Sequence, residues 1–193
     1  MKPVAWTRCP TPLGPMVLAA DANANANANA DPEGLIGAWF DGQKHFDGPE
    51  PGWLRDDGHA LLREAARQLG DWFAGRRTGF DLPLAPRGTP FQLAVWREIA
   101  QVGQGCTRSY GEVAQAVGRP TAFRAVGAAT GLNPISLIIP CHRLVGRNGA
   151  LTGYAGGLDR KRALLAFEAG QPALWALGSL GAPGADCAAG VAA

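Results

Sequence analysis

The sequence predicts a mixed α/β (α+β) protein. It divides into a small N-terminal α/β unit over residues 1–87, a mainly helical unit over 88–170 and a tail over 171–193 expected to be disordered. Three observations carry that expectation. Two short apolar runs, MVLAA (16–20) and LIGAWF (35–40), have strand composition and are bounded by turn residues. Residues 58–75, GHALLREAARQLGDWFAG, repeat their apolar positions at helical spacing. From residue 89 onward, helix-start and helix-stop signals follow one another, and two short helices meet around a glycine in a helix-turn-helix pattern. A chain of 193 residues, 47% of them hydrophobic, has apolar surface enough for a core.

Taken in order, TPLGP makes a turn before the first strand. Between the two strands lies DANANANANAD (21–31), a low-complexity repeat. Asn is disfavoured in strands and Ala has little to pack, so the repeat reads as an expanded, mobile hairpin loop. DGQKHFDGPEPG (41–52) is polar and rich in Gly and Pro, hence loop. In the 58–75 helix, Leu61, Leu62, Ala65, Ala66, Leu69, Trp72 and Phe73 form the buried stripe, opposed by Arg63, Glu64, Arg67 and Asp71. Phe80, Leu82 and Leu84 alternate as a short strand, and APRG (85–88) reads as a linker.

Thr89-Pro90-Phe91-Gln92 is a capping box with proline at the first helical position. It opens a helix to about Gln101 whose apolar face is Phe91, Val95, Trp96 and Ile99. Ser109 and Glu112 form a second capping box, opening a helix over 110–117 that Gly118 stops. Pro120 restarts a helix to about Gly131, which Asn133-Pro134 ends. The apolar run LIIP (137–140) reads as a strand-like wall. LTGYAGG follows as a glycine-rich loop, and a last helix spans about 159–168.

Several function classes drop out. No apolar run approaches the roughly 18 residues of a membrane span, and the first fifteen residues hold no apolar stretch of signal-peptide length. A cytoplasmic location is expected. Cys9, Cys106, Cys141 and Cys187 form no CxxC pair and no zinc-ligand spacing with His45, His59 and His142; they read as free thiols, with no metal. Residues 1–89 carry a net charge of −2 and residues 90–170 a net charge of +5. The basic excess lies with the helix-turn-helix, which suits a polyanionic partner.

The chemistry-bearing residues cluster in the same half. Cys141, His142 and Arg143 stand directly after the apolar run. A cysteine in such a place is more often a buried core thiol. Three features favour a nucleophile: the adjacent base His142, the cation Arg143 that favours a thiolate, and Glu168, placed to orient His142 in a Cys-His-carboxylate relay. Adjacent residues in an extended segment point apart, so any relay needs a water or a short turn after Pro140. Arg124 sits among Ala122, Ala125, Val126, Ala128 and Ala129, either as a solvated surface residue or as the one long side chain on a small-residue helix that lies in a groove. Tyr110 and Tyr154 each read as core aromatics or as pocket walls.

SYGEVAQAVGRPTAFRAVGAATGLNPISLIIPCHRLVGRNGALTGYAGGLDRKRALLAFE (109–168) resembles the catalytic core of the O6-alkylguanine-DNA alkyltransferases. The resemblance extends upstream through GTPFQLAVWREI and, more loosely, over the N-terminal unit. PCHR at fixed distance after RAVGxAxGxNP and before GYAGG is the specific part. The resemblance implies a ribonuclease H-like N-terminal domain and a winged-helix-like C-terminal domain. It implies a monomer that binds the minor groove of double-stranded DNA containing alkylated guanine and needs no cofactor. The implied activity is irreversible, single-turnover transfer of the alkyl group from O6-alkylguanine, and from O4-methylthymine, to Cys141 after base flipping. Carried over residue by residue, His142, Glu168 and a bound water deprotonate the thiol, and Asn133 braces the turn before it. Tyr110 crowds the target phosphate, and Arg124 replaces the extruded base. Thr121, Ala122, Ala125 and Gly127 belong to the DNA-facing helix. Thr130, Tyr154, Ala155, Gly156 and Lys161 belong to the pocket. Ala155 stands where some relatives have serine, so a hydroxyl contact is lost. The competing readings are a lesion-binding module that keeps its cysteine passively and a cysteine hydrolase, which leaves Arg124 and the helix-turn-helix without a purpose.

Overall fold

The structure is a computed structural model and describes residues 3–21 and 34–171. The repeat loop expected at 21–31 lies, from residue 22 on, outside the described residues, as does the tail beyond Gln171.

The N-terminal half is a four-stranded sheet carrying one helix. Strands β1 (Val4–Cys9), β2 (Met16–Asp21), β3 (Leu35–Phe40) and β4 (Leu54–Arg55) lie in the order β3-β2-β1-β4. The pairs β1·β2 and β2·β3 are antiparallel, and the short β4 runs parallel to β1. Both expected strands form at the expected positions. β1 and β4 lack a matching sequence signal: VAWTRC mixes an arginine and a threonine into its run, and LR is two exposed residues. The expected strand through Phe80, Leu82 and Leu84 reduces to a single bridge, Leu84 to Leu35. Pro83 has no N–H to give a ladder, and its carbonyl accepts from Leu35 N at 2.8 Å instead.

Helix α1 (Ala60–Phe73) lays Leu62, Ala65, Leu69, Trp72 and Phe73 on the sheet, as the stripe predicts. Gln68 is also buried on that face, because its amide is satisfied at both ends by the backbone of Asp81, at 2.9 Å each way.

In the second half, α2 (Pro90–Ala100) and α3 (Tyr110–Ala116) each begin in the expected capping box, with both reciprocal hydrogen bonds present. Helix α4 (Phe123–Gly131) starts three residues later than Pro120 suggests. Residues 117–122 form the turn instead, closed by Arg119 N to Ala114 O (2.8 Å) and Ala122 N to Arg119 O (2.9 Å). A proline biases the residue before it away from the helical region, so Arg119-Pro120 serves the turn better than a helix start. A two-residue parallel pair joins β5 (Arg108–Ser109) to β6 (Leu144–Val145), and α5 (Leu158–Glu168) closes the described chain.

The two halves share one core. Met16, Leu18 and Phe40 from the sheet, Leu69 and Trp72 from α1, Val95, Trp96 and Ile99 from α2 and Val126 from α4 belong to a single buried cluster. Trp96 donates its indole N–H to Ala129 O at 2.8 Å, which fixes α2 across α4. Backbone bonds from Ala38 N to Pro134 O (2.9 Å) and from Ser136 N to Ala38 O (2.8 Å) attach the segment after α4 to β3. The sheet therefore holds the chain that leads to Cys141. Among the described residues no helix is long and apolar enough to cross a membrane. Cys9 and Cys141 are free and buried, as the sequence reading has them.

Candidate active site

The site is built from the end of α4 forward. The Asn133 side chain is buried and holds the following turn by three points. Its Oδ1 accepts from Ile135 N at 3.1 Å, and its Nδ2 donates to Ile139 O at 2.8 Å and to Cys141 Sγ at 3.1 Å. Between those points residues 135–139 form a compact turn, with Ile139 N bonded to Ile135 O at 2.9 Å and Leu137 in the left-handed region at φ 73°. The strand-like wall expected of residues 137–140 is therefore replaced by this turn. An asparagine gripping both ends of five residues draws them together, and a strand of that length spans too far to be gripped so.

Cys141–Arg143 follow as one turn of 3₁₀ helix after Pro140, closed by Arg143 N to Pro140 O at 2.9 Å. Successive side chains on a 3₁₀ turn diverge by roughly 120°, so the three residues serve three purposes. Cys141 turns to Asn133. His142 Nε2 lies 2.9 Å from Glu168 Oε1. Arg143 does not favour the thiolate, as its place in the sequence suggested. Its Nε and terminal nitrogen bind the same Glu168 at 2.9 and 2.7 Å, and its other terminal nitrogen donates to Val102 O. The short turn that a Cys-His relay requires is present, and the carboxylate end of the relay is assembled.

The electrostatics set the resting protonation. Burial pushes the Cys141 thiol up, and the Asn133 amide and the charge of Lys161 pull it only partly back. Burial pushes the His142 imidazole down against the pull of Glu168. Burial also raises Glu168, but His142 and Arg143 more than offset it and hold the carboxyl at about 2. Arg143 is the permanent cation of the three, so Glu168 stays ionised beside a neutral His142. At neutral pH the site rests as thiol, neutral imidazole and carboxylate, with His142 Nδ1 making no hydrogen bond to the described residues.

Beside this cluster lies a cavity of about 490 Å³. Tyr110, Gly127, Thr130, Tyr154 and Ala155, all expected at the site, line it. Tyr110 and Tyr154 pack against the buried cluster that contains Cys141, which places the thiol behind the cavity wall and not in its lining. Gly156 and Lys161 stand behind the wall. A Cβ on Gly156 would meet the Tyr154 ring at 2.7 Å, so glycine is what lets that ring lie flat on the loop. Lys161, fully buried, donates to the carbonyls of Leu144, Thr152 and Gly153, and burial brings it down to about 8. Tyr110 Oη donates to the same Thr152 and Gly153 carbonyls at 3.3 and 3.4 Å. Thr121, Arg124 and Ala125 are exposed along α4 and its approach and do not reach the cavity; Ala122 is half-buried beside them.

The family model for the DNA-binding domain of 6-O-methylguanine DNA methyltransferase matches residues 90–170. The methylated-DNA–protein-cysteine methyltransferase of Methanosarcina acetivorans is 45% identical over 159 residues, which cover 82% of this chain and 94% of the relative. The chain belongs to the methylated-DNA–protein-cysteine methyltransferase family. A Mycolicibacterium paratuberculosis member is 56% identical over 104 residues, 54% of this chain and 63% of the relative. The mixed α/β architecture matches the crystal structure of Mycobacterium tuberculosis OGT in complex with DNA, with a TM-score of 0.72 and 41% identity over 85% of this chain and 92% of that one.

In this methyltransferase, sequence reading missed part of the cavity. Ala128, Gly131, Thr152 and Gly153 line it and flank residues already singled out. Lys44 and His45 line it from the N-terminal half, and nothing in a polar loop marked them. The close approach at Gly156 gives a direct test. Gly156→Ala displaces the Tyr154 ring, with an expected loss of about 1–3 kcal/mol in unfolding free energy and slower alkyl transfer. Denaturant unfolding and a transfer time course check both; unchanged values would mean the loop yields freely.

Proposed function

We propose that the protein repairs DNA by direct reversal. It moves the alkyl group from O6-alkylguanine, and from O4-methylthymine, irreversibly onto its own Cys141 after the nucleotide flips out of the duplex. The observation that carries this reading is Cys141 Sγ held 3.1 Å from Asn133, with the His142–Glu168 pair behind it and a nucleotide-sized cavity beside it. The alkyl carbon is sp3, so transfer is an in-line displacement. The S–C bond forms, the C–O bond breaks and its electron pair goes to the base oxygen. The thiol proton passes to neutral His142, through a water at Nδ1 as the family resemblance implies, and Glu168 stabilises the imidazolium that results. No tetrahedral oxyanion arises, and near-attack alignment carries much of the rate. The thioether product is no leaving group, so each molecule acts once.

The test is incubation with an O6-methylguanine duplex. The expected result is a gain of one CH2 on the Cys141 peptide, stoichiometric with protein. Duplex binding without that gain would make the protein a lesion-binding module, and turnover on esters would make it a hydrolase.

The DNA-facing roles follow the same reading. Helix α4 lies in the minor groove, where its small residues Ala122, Ala125 and Gly127 with Thr121 permit close approach and little sequence readout, as suits lesions that occur anywhere. Tyr110 crowds the target phosphate. Arg124 fills the gap left by the base, offsetting part of a flipping cost of a few kcal/mol. Thr130, Tyr154, Ala155, Gly156 and Lys161 form or back the pocket wall. Arg124→Ala is expected to slow repair of duplex DNA far more than reaction with free O6-benzylguanine. Equal losses in the two rate constants would remove the base-gap role. The protein acts as a cytoplasmic monomer, with residues 1–87 as a ribonuclease H-like domain and 88–170 as a winged-helix-like domain. The helix-bearing sheet supports the first assignment. The turn after β6, closed by Gly146 N to Ala150 O, supports the second.

A further inference from the structure

We propose that the N-terminal half takes part in DNA binding directly, with Lys44 and His45 receiving the phosphate backbone of the nucleotide that enters the cavity. The inference rests on the reading of that cavity as the nucleotide pocket.

Both residues line the cavity, on a loop that belongs to the sheet rather than to the helix-turn-helix. The loop is built rigidly. Gln43 is buried, and its Oε1 accepts from Phe40 N at 3.2 Å and from Ser136 Oγ at 2.9 Å, so it is tied to the turn that leads to Cys141. Lys44 N donates to Ala155 O at 3.0 Å, joining the loop to the wall that carries Tyr154. Phe46 stacks on Trp39 with ring centroids 4.3 Å apart and planes 2° from parallel. Between these anchors His45 has φ 66°, a left-handed conformation that a non-glycine residue rarely adopts. A surface loop pinned at three points around a strained residue presents its side chains in one place, and strain of this kind gathers at functional positions.

Charge supplies the occupant. Every nucleotide that enters brings a phosphodiester anion with it. Lys44 is the one lysine or arginine among the lining residues, and no Asp or Glu lines the cavity. Two cations behind the pocket wall, Arg160 and Lys161, are committed internally. Arg160 donates to Leu13 O and Gly156 O at 2.8 and 2.9 Å and lies over the Phe40 ring, and Lys161 is buried on three carbonyls. Lys44 and His45 are exposed, with a compact ammonium and a ring N–H free to meet a phosphate.

The test uses the full chain. Duplex affinity is measured in a Cys141→Ser background, which prevents transfer, against an O6-methylguanine duplex over a range of salt concentrations. Lys44→Ala is expected to weaken binding severalfold and to reduce the slope of log affinity against log salt by about 1, while Lys44→Arg keeps the slope. His45→Gly keeps the left-handed backbone, loses the imidazole and weakens duplex binding without changing the slope by a full unit. With Cys141 restored, Lys44→Ala is expected to slow transfer from the duplex more than transfer from free O6-benzylguanine, which has no phosphate. An unchanged salt slope in Lys44→Ala, or equal losses on duplex and free base, would overturn the proposal and leave the repair reading standing. Failure of the unsubstituted protein to alkylate Cys141 would instead remove the repair reading and this inference with it.

Discussion

Cys141→Ser is expected to eliminate alkyl transfer and leave duplex binding in place. The substitution is nearly isosteric at a buried position where Asn133 Nδ2 donates to the side chain, and an oxygen accepts that bond as well as a sulfur does. Fold and DNA surface are therefore kept. What is lost is the thiol proposed as the nucleophile. Burial already raises the Cys141 thiol, and a hydroxyl loses its proton far less readily, so neutral His142 cannot carry it away in the displacement. The expected fall in transfer rate is at least about 10⁴-fold, equivalent to about 5.5 kcal/mol of barrier. Peptide mass spectrometry reads the transfer, and binding to the O6-methylguanine duplex reads the surface. Retention of transfer would mean that another residue is the acceptor. Among the described residues, Cys9 is the free thiol to examine, and burial raises it.

The residues proposed for this chemistry were legible where local signals fixed them. The two capping boxes set the starts of α2 and α3 to the residue, since each needs only side chains three positions apart. Asn133, Cys141, His142 and Glu168 were legible through motif spacing, and the structure brings them together as two hydrogen-bonded pairs, Asn133 with Cys141 and His142 with Glu168, joined through the 3₁₀ turn. What stayed hidden depends on distant segments. β1 owes its place to pairing with β2 and β4, whose edges a single run of six residues cannot reveal. Arg143 shows the same limit within the motif itself. In the sequence it is a cation beside a thiol, and its direction depends on the 3₁₀ turn and on a carboxylate 25 residues away. Lys44 and His45 reach the pocket because Ser136 and Ala155 hold their loop there, a contact between halves that share one core.

Glu168→Ala is expected to be as damaging to the fold as Cys141→Ser is to the chemistry. Among the described residues, Glu168 is the carboxylate in contact with two buried partners, His142 and Arg143. Without it the Arg143 guanidinium keeps only the Val102 carbonyl and remains a charge inside the protein. Removing one partner of a buried ion pair costs about 3–5 kcal/mol. Transfer falls as well, because neutral His142 loses the group that selects its tautomer and balances its charge as it takes the proton; general-base loss of this kind is worth about 10²–10⁴-fold. The pH dependence has a definite sign. The folded-state carboxyl lies at about 2 against an ordinary value of 4.5. Its contribution to stability is therefore complete above the ordinary value and drains away as pH falls towards the folded one. Unfolding free energy of the unsubstituted protein should drop across that window, and the drop should be shallower in Glu168→Gln, which has no proton to gain there. Urea titrations at a series of acidic pH values measure both slopes, and transfer rates taken where each variant is fully folded separate the catalytic loss from the structural one. Coincident pH profiles, with an alanine variant that unfolds at the wild-type urea concentration, would show that Arg143 finds another partner and that Glu168 does not hold the cluster together.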